Sequence, residues 1–294
     1  MCHAVAMARI AIIGAGNMGE ALLSGFLRAG HPVKDMVVAE RSAERARQLA
    51  ETYSVLVTSV AEAVETAAIV IIAVKPTDVE PVITEIADVV AAASDDSPEQ
   101  VLVTVAAGVS TGYLESKLPA GVAVVRVMPN TPVLVGAGAS VLAKGRFASG
   151  AQLNDVAALF DCVGSVAIVP EAQLDAVTAL SGSGPAYFFL LVEALVDAAV
   201  GAGLSRRLAT DLAVQTMAGS AAMLFDRLEP GDGAATTGGA ADTTAAQLRA
   251  MVTSPGGTTA AALRELERGG LRAAVDRAVQ AAKARSEQLR ITSE

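Results

Sequence analysis

The residues best suited to chemistry near the start of the chain are glycines at a fixed spacing. Gly14 and Gly16 directly follow the apolar run 9–13, and Gly19 lies in the amphipathic run that comes next. The first glycine permits a tight turn, the second lets a phosphate approach the backbone, and the third lets a helix pack closely on a strand. Unpaired N–H groups at the helix start would hold a pyrophosphate. The spacing therefore predicts a dinucleotide-binding loop made of Gly14, Gly16, Asn17, Met18 and Gly19.

The end of the second predicted strand carries residues that distinguish the two nicotinamide dinucleotides. Glu40 would accept a hydrogen bond from a ribose 2′-OH and thereby favour NADH. Arg41 and Ser42, with Arg45 close by in the next helical run, would hold a 2′-phosphate and favour NADPH. With these three side chains available, we predict NADPH as the cofactor and leave NADH open.

Two more loops directly follow predicted strands. Val74, Lys75 and Pro76 place a cation and a rigid turn after one strand, and Asn130 lies in a proline-bounded loop after another. In an open parallel sheet, cofactors bind at the carboxyl ends of the strands. We therefore expect these residues near the cofactor, where Asn130 can bond a cofactor amide or the backbone.

A second helix start, late in the chain, is suited to a carboxylate. The run 254–259 combines two glycines with the hydroxyls of Ser254, Thr258 and Thr259, directly before the helical run 260–268. Bare N–H groups and hydroxyls at such a position attract an anion. The run 181–187 also opens a long apolar helix, but a cap near Ser183 or Gly184 explains it fully.

Strands and helices alternate through the first half of the chain, and the second half is helical. The strand candidates are the runs 9–13, 36–39, 55–58, 69–74, 101–105, 122–127, 140–142 and 166–169. Alternation of this kind predicts a parallel, doubly wound sheet. The fold class is therefore α/β, with a Rossmann dinucleotide-binding domain over 1–168 and an all-α domain over 169–294, in which the Gly- and Ala-rich segment 229–243 is an exposed loop.

Composition and charge narrow the class of partner. The formal net charge of −9 would repel phosphate backbones and anionic lipid, so we expect neither nucleic acid nor membrane but a small-molecule substrate. Two distant cysteines, Cys2 and Cys162, and no recognisable secretory signal favour a reducing cytoplasm, and no metal cluster is suggested. Both histidines, His3 and His31, have structural explanations. A C=N bond, which can be protonated before hydride transfer, is therefore a better substrate than a C=O bond.

Taken together, the motifs 14–19, 74–76, 128–132, 181–187 and 252–259 resemble those of the Δ1-pyrroline-5-carboxylate reductases, the enzymes of the last step of proline biosynthesis. Their order and spacing match from about residue 8 to residue 289, and the run 252–259 is the most specific. The resemblance implies NAD(P)H-dependent reduction of 1-pyrroline-5-carboxylate to L-proline. It also implies a helical dimerisation domain, a homodimer with a shared active site, and larger ring-like assemblies such as a decamer of dimers.

The same resemblance implies roles for individual residues. Ser254 and the amides of Gly257 and Thr258 would hold the substrate carboxylate, and Thr259 would hydrogen-bond the ring nitrogen. Lys75, with Pro76 and Asn130, would line the nicotinamide pocket, which makes Thr259 and Lys75 the candidate catalytic residues. The chain departs from the family pattern at Glu40, where many members have Asn or Ser, and in the length of the segment 229–243.

Two other functions fit part of the pattern. A related imine or β-hydroxyacid reductase would share the domain order, but the hydroxyacid enzymes usually need a catalytic Lys or Asp on the long interdomain helix. Here the helix from Ala186 carries Glu193 and Asp197 but no lysine. A non-catalytic nucleotide-sensing protein would keep only the glycine loop. Substrate-dependent oxidation of the reduced cofactor separates the three.

Overall fold

The structure, a computed structural model, describes residues 9–93, 99–228 and 244–291. The chain divides into two compact units, one comprising Met1–Pro185 and Val279–Glu294 and the other comprising Ala186–Ala278. The predicted boundary at 168/169 lies at the end of the last strand, whereas the compact units part later, and the division into 1–168 and 169–294 stays a prediction. Cys2, His3 and the predicted loop 229–243 lie outside the described residues.

The first unit is built on an eight-stranded sheet with the order β3-β2-β1-β4-β5-β6-β7-β8. Each predicted strand is present, with small shifts at its ends. The strands are β1 Ile10–Ile13, β2 Met36–Ala39, β3 Leu56–Thr58, β4 Ile69–Ile72, β5 Val101–Thr104, β6 Ala123–Met128, β7 Gly138–Lys144 and β8 Gly164–Ile168. The glycine loop after β1 lies where the strand order reverses, which is the position at which doubly wound sheets bind nucleotides.

One strand departs from the predicted parallel sheet, because β7 runs antiparallel to β6. Its connection consists of a short 3-10 helix, Thr131–Val135, and a few flanking residues. A parallel crossover needs a dozen or more residues, so this short link can only return antiparallel. β8 again pairs parallel with β7, after the intervening helix α6.

Helices cover both faces of the sheet, and each face has its own apolar core. Side chains alternate along β1, so that Ile10 and Ile12 belong to one core and Ala11 and Ile13 to the other. The α-helices of the first half of the chain are α1 Asn17–Arg28, α2 Ala43–Tyr53, α3 Val60–Glu65, α4 Val79–Ala92, α5 Thr111–Lys117 and α6 Gly150–Asp161.

The remaining α-helices follow the last strand. They are α7 Leu174–Val177, α8 Gly184–Gly201, α9 Arg206–Leu228, α10 Thr244–Met251, α11 Thr258–Arg268 and α12 Leu271–Gln288. Large apolar side chains on α8 and α9 remain exposed, among them Phe189 at 65%, Leu190 at 66% and Phe225 at 66%. The stretches Glu171–Gly201 and Arg206–Arg227 are long and apolar enough to cross a membrane by length and composition, a criterion that core helices of soluble proteins also meet.

The predicted helix start near Ser183 is wrong, because the chain continues from α7 into α8 through a π-helical turn, Thr178–Gly182. Ser183 N–H donates to the carbonyl of Thr178 at 2.8 Å, a bond five residues long. Pro185 has no N–H for the carbonyl of Ser181. The side-chain amide of Asn130 donates to that carbonyl instead, at 3.1 Å, and so allows the helix to continue.

Candidate cofactor and substrate sites

The glycine loop has the geometry that its spacing predicts. Gly14 has φ +89° and lies against Val74, so that a side chain there would be strained and crowded. A Cβ on Gly19 would lie 2.0 Å from the carbonyl oxygen of Gly14, which fixes the close approach of α1 to the end of β1. A Cβ on Gly16 would meet nothing within 4 Å. The backbone at Gly16 is therefore open to a ligand.

The loop borders a cavity of about 530 Å³ at the carboxyl ends of the strands. Gly16 is the N-cap of α1 and no side chain caps this helix, so its first N–H groups remain available to a pyrophosphate. The cavity is lined by Ile13, Gly14, Gly16, Ala39, Glu40, Arg41, Thr58, Ser59, Val60, Ala73, Val74, Lys75, Asp78, Pro81, Val82 and Glu85. These features fit a dinucleotide.

Side chains that were expected to hold a 2′-phosphate are partly engaged elsewhere. Arg45 pairs with Glu20 and donates from Nε to the carbonyl of Ala15 at 3.3 Å. Ser42 is the N-cap of α2 and accepts from Arg45 N–H. Burial and the hydrogen bond to Glu20 raise the pKa of the Tyr53 phenol above its ordinary value, so Tyr53 stays a neutral donor beside the pair. Arg45 therefore supports the loop from behind.

Arg41 is the cation that remains free to move. Its side chain is 89% exposed, and its Nη2 lies 3.9 Å from Asp78, which is too weak a contact to fix it. Lys75 also lines the cavity, where it precedes the 3-10 turn Pro76–Asp78. Pro76 shapes that turn without lining the cavity.

Asn130 is buried, with 8% of its surface exposed, and both ends of its amide bond the backbone. Its Oδ1 accepts from Ala139 N–H at 2.8 Å, and its Nδ2 donates to Ser181. Of the two uses expected for Asn130, the structure places it in the backbone bond, away from the residues that line the cavity. Asn17, Met18, Gly19 and Ser42 likewise support the loop rather than line the cavity.

The predicted carboxylate site lies in the second unit, at the start of α11. Gly257 is the N-cap, no side chain caps the helix, and Gly256 has φ +71°. Gly257 N–H already donates to the carbonyl of Ser254 at 3.0 Å, so the open amides begin at Thr258. Ser254 and Thr258 are exposed and Thr259 is half-buried. The helix tip is thus accessible, with hydroxyls on both sides of it.

The sequence analysis missed the far side of the cofactor cavity. Thr58 and Ser59 end β3 and begin α3, and Ser59 forms a capping box with Glu62. The spacing of Ser59 and Glu62 is a readable helix-start signal, and the strand before it was predicted. The carboxyl ends of parallel strands meet at one edge, so this pair was within reach of prediction. Asp78, Pro81, Val82 and Glu85 follow the Lys75 turn and carried no separate signal.

Family models match most of the chain. One described as pyrroline-5-carboxylate reductase dimerisation matches residues 171–289. Another, described as NADP oxidoreductase, coenzyme F420-dependent, matches residues 9–108.

Relatives match over nearly the whole chain. A pyrroline-5-carboxylate reductase of Mycobacterium tuberculosis is 70% identical over 291 residues, which is 98% of this chain and 99% of the relative. One from Mycobacterium leprae is 69% identical with the same coverage. Among solved structures, that of a pyrroline-5-carboxylate reductase from Coxiella burnetii has a TM-score of 0.84 at 34% identity, covering 97% of this chain and all of the other. A pyrroline carboxylate reductase from Plasmodium falciparum, with NADP bound, has a TM-score of 0.81 at 29% identity, covering 96% and 98%.

Proposed function

Because the chain belongs to the pyrroline-5-carboxylate reductase family, we propose that it reduces 1-pyrroline-5-carboxylate to L-proline with NAD(P)H, the last step of proline biosynthesis. The geometric observation that carries the proposal is the open backbone at Gly16, beside a cavity large enough for a dinucleotide. The reduced nicotinamide, when bound, supplies the hydride that attacks C5 of the imine.

The residues of the glycine loop would hold the cofactor by its diphosphate. The free N–H groups at the start of α1 present partial positive charge to it, and Gly14 and Gly19 keep the loop close to β1. Val74 and Lys75 lie in the same cavity. We assign Lys75 a place beside the nicotinamide, where its charge favours binding of the anionic substrate.

The start of α11 would hold the substrate. Thr258 N–H and the hydroxyl of Ser254 suit the carboxylate, since both are exposed at a bare helix N-terminus. Thr259 would bond the ring nitrogen through its hydroxyl and so orient C5 toward the hydride. Gly257 contributes as the N-cap that aims these groups. This arrangement works by positioning, which alone can lower a barrier substantially.

We also propose that the enzyme is a cytoplasmic homodimer whose active site is shared between subunits. Support comes from the dimerisation family model over 171–289 and from the exposed apolar side chains of α8 and α9, which a second copy would bury. Larger rings, such as a decamer of dimers, are built from the same unit. Sedimentation of the purified protein gives the size of the assembly, and a fully active monomer would refute the shared site.

The decisive test is substrate-dependent oxidation of NADPH and NADH, followed by absorbance. Oxidation upon addition of 1-pyrroline-5-carboxylate, with L-proline formed in equal amount, is the expected result. No rate above background with either cofactor would refute the proposal. Oxidation only with another cyclic imine or with a β-keto acid would assign the chain to one of the related reductases.

A further inference from the structure

The carboxylate of Glu40 is fixed by two backbone donors. Ala15 N–H donates to Oε2 at 3.0 Å, and Ser42 N–H donates to Oε1 at 2.9 Å. Ala15 belongs to the glycine loop and is 1% exposed, and Ser42 begins α2. Because hydrogen bonds to a charged group are stronger than neutral ones, this carboxylate is a rigid link between the loop and α2.

The same carboxylate lines the cofactor cavity, where it changes the balance of charge. The charged residues that line this cavity are Glu40, Arg41, Lys75, Asp78 and Glu85, so the acids outnumber the bases. Arg41 is mobile and lies near Asp78, and Arg45 is neutralised by Glu20. A 2′-phosphate would therefore meet one mobile cation and one fixed anion.

We propose that Glu40 sets the choice of dinucleotide, accepting a hydrogen bond from the 2′-OH of NADH and opposing the 2′-phosphate of NADPH. This inference rests on the proposed use of a nicotinamide dinucleotide. The carboxylate that reads the ribose also holds Ala15 N–H, so the choice is coupled to the shape of the loop that binds the diphosphate. Glu40 therefore admits NADH to a site that Arg41 adapts to NADPH.

Two substitutions separate these effects. Glu40→Gln keeps an oxygen that can accept from Ala15 N–H but removes the negative charge. Glu40→Ala removes both, so the glycine loop loses a support that either cofactor requires. Arg41→Ala is the matched variant of opposite charge on the neighbouring residue, and it should weaken NADPH more than NADH.

The experiment measures dissociation constants of NADH and NADPH by the fluorescence of the reduced nicotinamide, without substrate, on the purified oligomer. For Glu40→Gln we expect the ratio of the NADH to the NADPH constant to rise by about tenfold or more, the effect of one charge-assisted hydrogen bond. For Glu40→Ala both cofactors should weaken while the ratio still moves toward NADPH. Circular dichroism melting shows that each variant is folded.

An unchanged ratio in a folded Glu40→Gln variant would overturn the proposal, and so would equal weakening of both cofactors in Glu40→Ala. These binding constants do not depend on turnover. A chain that binds both dinucleotides but does not reduce 1-pyrroline-5-carboxylate would refute the proposed activity and leave the role of Glu40 intact. A wild-type protein that binds neither dinucleotide would refute both.

Discussion

At the scale of single residues, neighbouring threonines in the proposed substrate site act through different atoms. Thr258 contributes its backbone amide, which any residue except proline supplies. Thr259 contributes its hydroxyl, and its side chain is half-buried, which limits the positions that the hydroxyl can take. A substitution to alanine therefore removes the proposed contact at Thr259 and leaves it in place at Thr258.

We predict that Thr259→Ala lowers kcat by about 10- to 100-fold, because one positioning hydrogen bond contributes roughly 1 to 3 kcal/mol. Thr259→Ser should recover most of the rate, and Thr258→Ala should retain most of it. Steady-state kinetics with saturating cofactor measure all three. If Thr259→Ala turned over at the wild-type rate, the hydroxyl would have no part in the reaction.

At the scale of elements, the turn between β1 and α1 makes two demands on its glycines that a single experiment can separate. Gly19 is needed by the fold, since its Cβ would lie 2.0 Å from the carbonyl oxygen of Gly14. Gly16 is needed only by a ligand, because its φ of −67° suits any residue and the space beside it is open. The two glycines thus serve packing and binding respectively.

We predict that Gly16→Ala melts within a few degrees of wild type but binds NADPH and NADH at least about tenfold more weakly, since a methyl group would meet the diphosphate. Gly19→Ala should unfold at clearly lower temperature whether or not cofactor is added. Thermal melting with and without cofactor gives both results. Tight cofactor binding by Gly16→Ala would show that the diphosphate lies elsewhere.

Local signals predicted the elements well, and tertiary contacts decided what they could not. The apolar runs predicted each strand, because a parallel strand buried on both faces needs continuous apolar sequence. The turn at Ser181 looked like a helix start, since proline and glycine usually mark one. The Asn130 amide, 51 residues away in sequence, satisfies the Ser181 carbonyl that Pro185 cannot. No local pattern contains that partner, and the same holds for the commitment of Arg45 to Glu20.

At the scale of the whole molecule, the end of the chain returns to the first unit through a buried polar cluster. Asp175, which is 2% exposed, accepts from Ser286 Oγ at 2.7 Å and from Arg290 Nε at 2.9 Å. Ile291 N–H then donates to the carbonyl of Gly108 at 3.0 Å. Nearby, Arg126 pairs with Glu171 at 3.2 Å. Sequence analysis assigned residues after 169 to one helical domain, because contacts between Asp175 and residues 111 and 115 positions later leave no periodic signal.

The cluster at Asp175 makes the stability of the first unit sensitive to acid. Burial alone would raise the pKa of Asp175, but hydrogen bonds from Ser286 and Arg290 and the charges of Arg290 and Arg126 hold it below its ordinary value near 3.8. A carboxyl whose pKa is lower in the folded state stabilises the protein above its unfolded-state pKa. That contribution is lost as pH falls below about 4 and through the folded-state pKa.

We therefore predict that Asp175→Asn is less stable than wild type at pH 7 by about 1 to 3 kcal/mol, the contribution of hydrogen bonds to a charged group. The difference should shrink as pH falls below about 4, because the wild-type carboxyl then becomes protonated and neutral as well. Urea unfolding of both proteins between pH 7 and pH 3 measures it, with Asp161→Asn as the control for an acid on the last turn of α6. A difference that stays constant with pH would mean that the cluster holds the chain end through shape and neutral hydrogen bonds, and that the charge of Asp175 is incidental.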